Sequence, residues 1–110
     1  MVQNNFKDYH PFISFRPDKY GKSTLFESEN ILVGLNCLNP GQSFEKRSHV
    51  VQNRFYLVLE GRGSAQVGEK AQDIRPGTVI WISTGSSHKI ENTGTEPLVM
   101  LVGIAPTEAD

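Results

Sequence analysis

Two arginines and two histidines are spaced so that extended chain would gather them. Arg47 and His49 are two residues apart, Arg54 and Tyr56 are two apart, and Gln52 is two before Arg54. Residues at i and i+2 of a strand project to the same side, so each set would point into one place. A guanidinium is always charged and presents a flat fork of donors that matches a carboxylate or phosphate. An imidazole changes charge near neutral pH and can move a proton. His88 supplies the second imidazole. The chemistry expected is recognition of a carboxylate, phosphate or enediolate-like anion. Arg47 or Arg54 clamps it, Gln52 and Tyr56 line the pocket, and His49 or His88 carries the proton. Each residue also has a plainer use: Arg47 on a solvated strand end, Arg54 in an ion pair with Glu45 or Glu60.

Other reactive residues carry less. Cys37 is the only cysteine, which rules out an internal disulfide, fits a reducing compartment, and reads as a small core residue. His10 has no motif around it and reads as a surface or packing residue. Trp81 is expected in the core or at an interface. Gly61-Arg62-Gly63 precedes no helix, so it is a strand turn rather than a phosphate loop. Ser86 and Ser87 lack the acid and oxyanion donors that would make a nucleophile.

The elements that must position these groups are strands. Turn signals recur about every ten residues, at Pro40-Gly41, Gly61 to Gly63, Gly68-Glu69, Pro76-Gly77, Gly85 and Asn92 to Gly94. Between them, Ile31 to Leu38 alternates Ile31, Val33, Leu35 and Cys37 against Leu32, Gly34, Asn36 and Leu38. Arg54 to Glu60 alternates Phe55, Leu57 and Leu59 against Arg54, Tyr56, Val58 and Glu60. Gly63 to Val67 and Ala71 to Ile74 form a hairpin around Gly68. Thr78 to Ile82 and Leu98 to Ile104 are apolar on both faces and so must be covered on both. The cover for the second face is a further sheet, the aromatic-rich N-terminal segment or a second subunit. Residues 1–20 hold five of the nine Phe and Tyr residues and are expected to form an arm packed on their own or a partner's barrel, with residues 21–110 as one barrel domain.

A length of 110 residues suits one domain. Eleven Lys and Arg balance 12 Asp and Glu, for a net charge of −1, which gives no electrostatic footprint for nucleic acid or an anionic membrane. No apolar run approaches the roughly 20 residues of a membrane span. The opening MVQNNFKDYHPF has neither the basic start nor the apolar core of a secretory signal, so a cytoplasmic location is expected. A barrel this small is expected to complete its burial as a homodimer.

Two stretches covering about half of the chain resemble the paired motifs of the cupin superfamily. PGQSFEKRSHVVQNRFYLVLEG supplies Gly41, Arg47 at the family's first His position, His49 at the second, Arg54 at the Glu position, and Gly61. GTVIWISTGSSHKIEN supplies Gly77, Ser83 in place of Pro, Gly85, His88 and Asn92 with every spacing kept. The resemblance implies an all-β fold, a jelly-roll barrel or double-stranded β-helix. In metal-binding members it implies two His and a Glu from the first motif and one His from the second as ligands.

Here only His49 and His88 remain of those four. They would hold one divalent transition metal (Zn, Ni, Mn, Fe or Cu) only with Gln52 or Glu45 as a third ligand. Arg47 and Arg54 weigh against it: at about 4 Å and an effective dielectric near 20, like unit charges repel by about 4 kcal/mol, and a divalent ion doubles that. The same residues without a metal make the anion receptor described above. The resemblance therefore implies a small-molecule enzyme of isomerase, epimerase, decarboxylase or dioxygenase type. The alternative is a non-catalytic binding or sensor module with a degenerate metal site.

Overall fold

The computed structural model describes residues 4–47 and 51–107, and within them the chain forms nine strands and one 3-10 turn at His10–Phe12. In order the strands are β1 (Gly21–Glu27), β2 (Leu32–Leu38), β3 (Ser43–Lys46), β4 (Asn53–Glu60), β5 (Gly63–Val67), β6 (Lys70–Ile74), β7 (Val79–Ile82), β8 (His88–Glu91) and β9 (Leu98–Ala105). One sheet runs β1-β2-β9-β4-β7 and the other β3-β8-β5-β6, with every pairing antiparallel. The chain passes back and forth between the two sheets, which is the expected all-β jelly-roll barrel. Among the described residues no helix is long and apolar enough to cross a membrane.

Alternation along the strands builds two apolar layers. Tyr56 and Val58 of β4, Ile80 and Ile82 of β7, and Met100, Val102 and Ile104 of β9 meet Phe44, Ala65, Ile74 and Ile90 of the smaller sheet between the layers. The opposite face of the larger sheet gathers Leu25, Leu35, Cys37 and Val99, with Tyr9, Phe12 and Ile13 of the N-terminal segment packed on them. That segment is held by polar bonds too. Lys7 Nζ donates to the Leu25 carbonyl at 2.7 Å and lies over the Phe26 ring, Ser23 Oγ donates to the Phe12 carbonyl at 2.6 Å, and Tyr9 Oη donates to Glu60 at 2.8 Å. The both-faces apolarity of Leu98–Ala105 is thereby explained: one side faces the barrel, the other lies under the arm.

The expected strands are present with ends moved by a residue or so, and β1, β3 and β8 are added to them. Glu60 departs from the simple alternation. The register between β4 and β9 slips between Val58 and Glu60, so that Glu60 pairs with Val99. This bulge turns Glu60 toward the arm, where it meets Tyr9 and His10, rather than toward Arg54. Trp81 is not a core residue of this chain. Trp81 and Val79 are 59% and 64% exposed, while their neighbours Ile80 and Ile82 are buried, because β7 is the edge strand and its outer face lies beyond the arm.

Turn glycines fall where expected. Gly61 joins β4 to β5 with φ +84, and a Cβ there would collide with the Pro97 carbonyl; both facts require glycine. Asn92, the last residue of the second motif, proves to be a structural tie. It is 1% exposed, its Nδ2 donates to the Leu38 and Glu96 carbonyls at 2.9 Å each, and its Oδ1 accepts from the Gly94 amide at 2.9 Å.

Asn92→Leu keeps the volume and strands these partners, so it should cost on the order of 2–3 kcal/mol in urea unfolding; an unchanged midpoint would show that the carbonyls find water instead. Cys37 is fully buried beneath the arm, and that burial pushes its thiol up from the ordinary value. A thiol reagent should label it only in denaturant, and rapid labelling of the native protein would mean that the arm opens readily.

Candidate functional site

Inward-facing residues of β4 start the site. Gln52 just before the strand, Arg54 and Tyr56 are 7%, 7% and 0% exposed. Arg54 has only donors, so the bonding order around it is fixed. Its Nη2 donates to Gln52 Oε1 at 3.3 Å and its Nη1 to the Tyr56 oxygen at 3.1 Å. Gln52 is itself anchored, its Nε2 donating to the Pro106 carbonyl at 3.1 Å. From the facing sheet His88 opens β8 and points inward, bringing Nε2 to 2.8 Å from the Tyr56 oxygen. Phe44 of β3 presents its ring edge-on to the imidazole, with centroids 6.0 Å apart at 90°. The result is a buried polar line Gln52, Arg54, Tyr56, His88 that joins the two sheets.

Beside this line lies a cavity of about 460 Å³, lined by Arg54 together with Tyr20, Lys22, Asn36, Lys46 and Thr107. Among its described lining residues Lys22, Lys46 and Arg54 are cationic and Glu27 alone is anionic.

The expected site residues separate into two groups. Arg54, Gln52, Tyr56 and His88 come together. Arg47 does not join them: it is exposed at the end of β3 and outside the described cavity lining. Its neighbour Lys46 takes the inward place, since a shift of one residue along a strand reverses the face. Glu45, considered as a third metal ligand, is also exposed. It pairs with Lys89 on the outer side of the smaller sheet, opposite to Phe44 and Lys46. His49 lies outside the described residues. His10 is a surface residue stacked on Tyr9 and bonded to Asp8 at 2.6 Å. The sequence reading missed Lys22, Asn36, Lys46 and Thr107. Asn36 carried a usable signal, being an amide in an apolar strand where such a residue is unfavourable.

The described donors do not fit the divalent metal of the family's metal-binding members. His88 Nε2 is engaged with Tyr56, Gln52 Oε1 accepts from Arg54, and the same guanidinium donates to the Tyr56 oxygen beside His88. No group of three or more His, Cys, Asp or Glu able to hold a metal occurs among the described residues.

Comparison with known proteins agrees with this architecture. The cupin domain model matches residues 34–104. An uncharacterised protein of Streptomyces coelicolor is 31% identical over 80 residues, which span 73% of this chain and 74% of that one. An oxalate-binding protein of Thermotoga maritima is 36% identical over 67 residues, 61% of this chain and 55% of its own length. A crystal structure of a Thermus thermophilus protein superposes with a TM-score of 0.84 at 31% identity, covering 94% of this chain and 98% of that one. Both cupin motifs, the barrel they fold into and the domain match point the same way, and the chain belongs to the cupin family.

Proposed function

We propose that this cupin receives a small anionic metabolite in its barrel and that Arg54 is the charge anchor. The observation that carries the reading is a guanidinium 7% exposed, oriented by bonds that include those to Gln52 and Tyr56, on the wall of a cavity of about 460 Å³ that Lys22 and Lys46 also line. Cationic side chains that converge on a cavity shielded from water attract an anion, and the low dielectric strengthens that attraction. The oxalate-binding relative in Thermotoga maritima supports a carboxylate as the ligand class. In this reading His88 and Tyr56 supply the proton-transfer pair, with His49 as a second imidazole. That assignment makes the protein a metal-independent enzyme of isomerase, epimerase or decarboxylase type.

The second reading is a binding module without turnover. It is favoured by the poor fit of the described donors to the family's metal, since the same barrel without a catalytic ion remains a good receptor. Turnover of a bound anion that is lost in His88→Ala while binding persists would decide for the enzyme.

Binding is tested by calorimetric titration of oxalate, succinate and inorganic phosphate into the wild type, Arg54→Met and Lys46→Gln. Loss of a charge-assisted bond costs about 1.5–3 kcal/mol, so Arg54→Met should bind at least ten-fold more weakly, and raised salt should weaken Lys46→Gln less than the wild type. Equal affinities across the three proteins, or no binding of any probe, would overturn the anion reading. Near-stoichiometric transition metal in protein purified without a tag would overturn the metal-independent form of it.

We further propose that the homodimer forms through the outer face of β7, where Val79 and Trp81 are exposed next to their cross-strand partners Leu57 and Phe55. Trp81→Lys should convert a dimer to a monomer in light scattering. A wild-type monomer, or a dimer indifferent to the change, would refute this interface.

A further inference from the structure

Asn36 is the feature of the cavity that anion binding leaves unexplained. It lies in the middle of β2 on the barrel-facing side, with Leu38 of the main core on the same face. Its sheet neighbours are Lys22 on β1 and Met100 on β9. The residue is only 4% exposed, yet its side-chain amide bonds to none of the described residues and instead lines the cavity. Thr107 contributes a second such group to the same lining, a buried Oγ1 with no hydrogen-bond partner among the described residues. Buried polar groups are nearly always bonded to something. A guest that fills the cavity must therefore offer these groups bonds at least as good as those of water, or lose affinity.

We infer that Asn36 is a specificity-determining contact that reads hydroxyl groups on the ligand, so that the guest is a hydroxylated acid rather than a bare carboxylate or dicarboxylate. An amide offers both a donor and an acceptor, which is the complement of a hydroxyl and a poor match to a methylene. The inference rests on the anion reading above and deepens it. Strand pairing supports an extended guest. Arg54 stands across β9 from Leu32, and Asn36 is four residues further along β2, so the two backbone positions are about 16 Å apart at ordinary strand spacings. The long guanidinium arm shortens that span to one an open-chain sugar acid can bridge. Lys22, adjacent to Asn36, meets a second carboxylate at the far end. Glu27, the one carboxylate in the described lining, is an acceptor suited to a hydroxyl.

The test compares adipate with glucarate, diacids of equal chain length and charge that differ only in their hydroxyls, by calorimetry on the wild type and on Asn36→Leu. Glucarate should bind the wild type roughly ten-fold more tightly than adipate, about the effect of one hydrogen bond gained and one buried amide satisfied, and the gap should close in Asn36→Leu. The wild-type comparison needs no variant, so it stands even if Asn36→Leu folds poorly. Equal binding of the two diacids, or tighter binding of adipate, would overturn the inference and leave the anion reading intact. A gap that persists in a well-folded Asn36→Leu would overturn the assignment to Asn36. Failure of both diacids to bind, where oxalate and phosphate also fail, would take down the anion reading and this inference with it.

Discussion

A guanidinium cannot shed its proton to suit an apolar interior, and the inner arrangement of this barrel follows from holding one there. Arg54 is fixed by what surrounds it. Gln52 turns its oxygen toward one prong of the fork and is itself held by the Pro106 carbonyl. Tyr56 gives its oxygen to the other prong and reaches on to His88 across the gap between the sheets. Two sheets that meet mostly through apolar packing are thereby joined by a polar line with definite geometry. Such a line adds specificity of arrangement more than stability, because desolvating a charge offsets much of what its bonds contribute.

The larger sheet is covered unequally. Tyr9, Phe12 and Ile13 protect its outer face around β1, β2 and β9, whereas Val79 and Trp81 at the β7 edge remain open. A short barrel has little core to spare, and the arm enlarges it by turning the back of the sheet into a second apolar layer. The family's shared barrel is thus supplemented by an element drawn from outside the matched residues 34–104.

The legible part of this fold was the part in which sequence period and burial agree. Strands β2, β4 and β9 alternate cleanly or are apolar throughout, and the residues assigned to each face lie there apart from Glu60. Strand β1 was hidden by its composition, with Lys22, Ser23, Thr24 and Glu27, and by a register slip between Thr24 and Phe26 that breaks the period of two. Strands β3 and β8 have four residues each, with Phe44 and Ile90 as their only aliphatic or phenyl side chains, too little for a pattern. The same division applies to the site. The inward positions of Arg54 and His88 were readable from motif spacing, and those of Tyr56 and Gln52 from their period of two with Arg54. Lys22, Asn36 and Thr107 reach the cavity from an edge strand, a neighbouring strand and the segment after β9. Only tertiary structure brings those together. Choosing Arg47 over Lys46 was a choice of face, and one residue of register decides it.

The arm also has a mechanical consequence. It is fastened to β1 through Lys7 and Ser23 and to β4 through Tyr9 and Glu60, so it spans the sheet like a brace from the edge strand to the strand that carries Arg54. Gly21 lets the arm pass close, since a Cβ there would strike the Ser14 carbonyl. The inner side of β1 contributes Lys22, Thr24 and Glu27 to the cavity wall. Surface packing at Phe12 and the width of the chamber mouth are therefore not independent variables. Natural variation at Tyr9, Phe12 and Ile13 is thereby a means of reshaping a cavity wall that these residues do not themselves line.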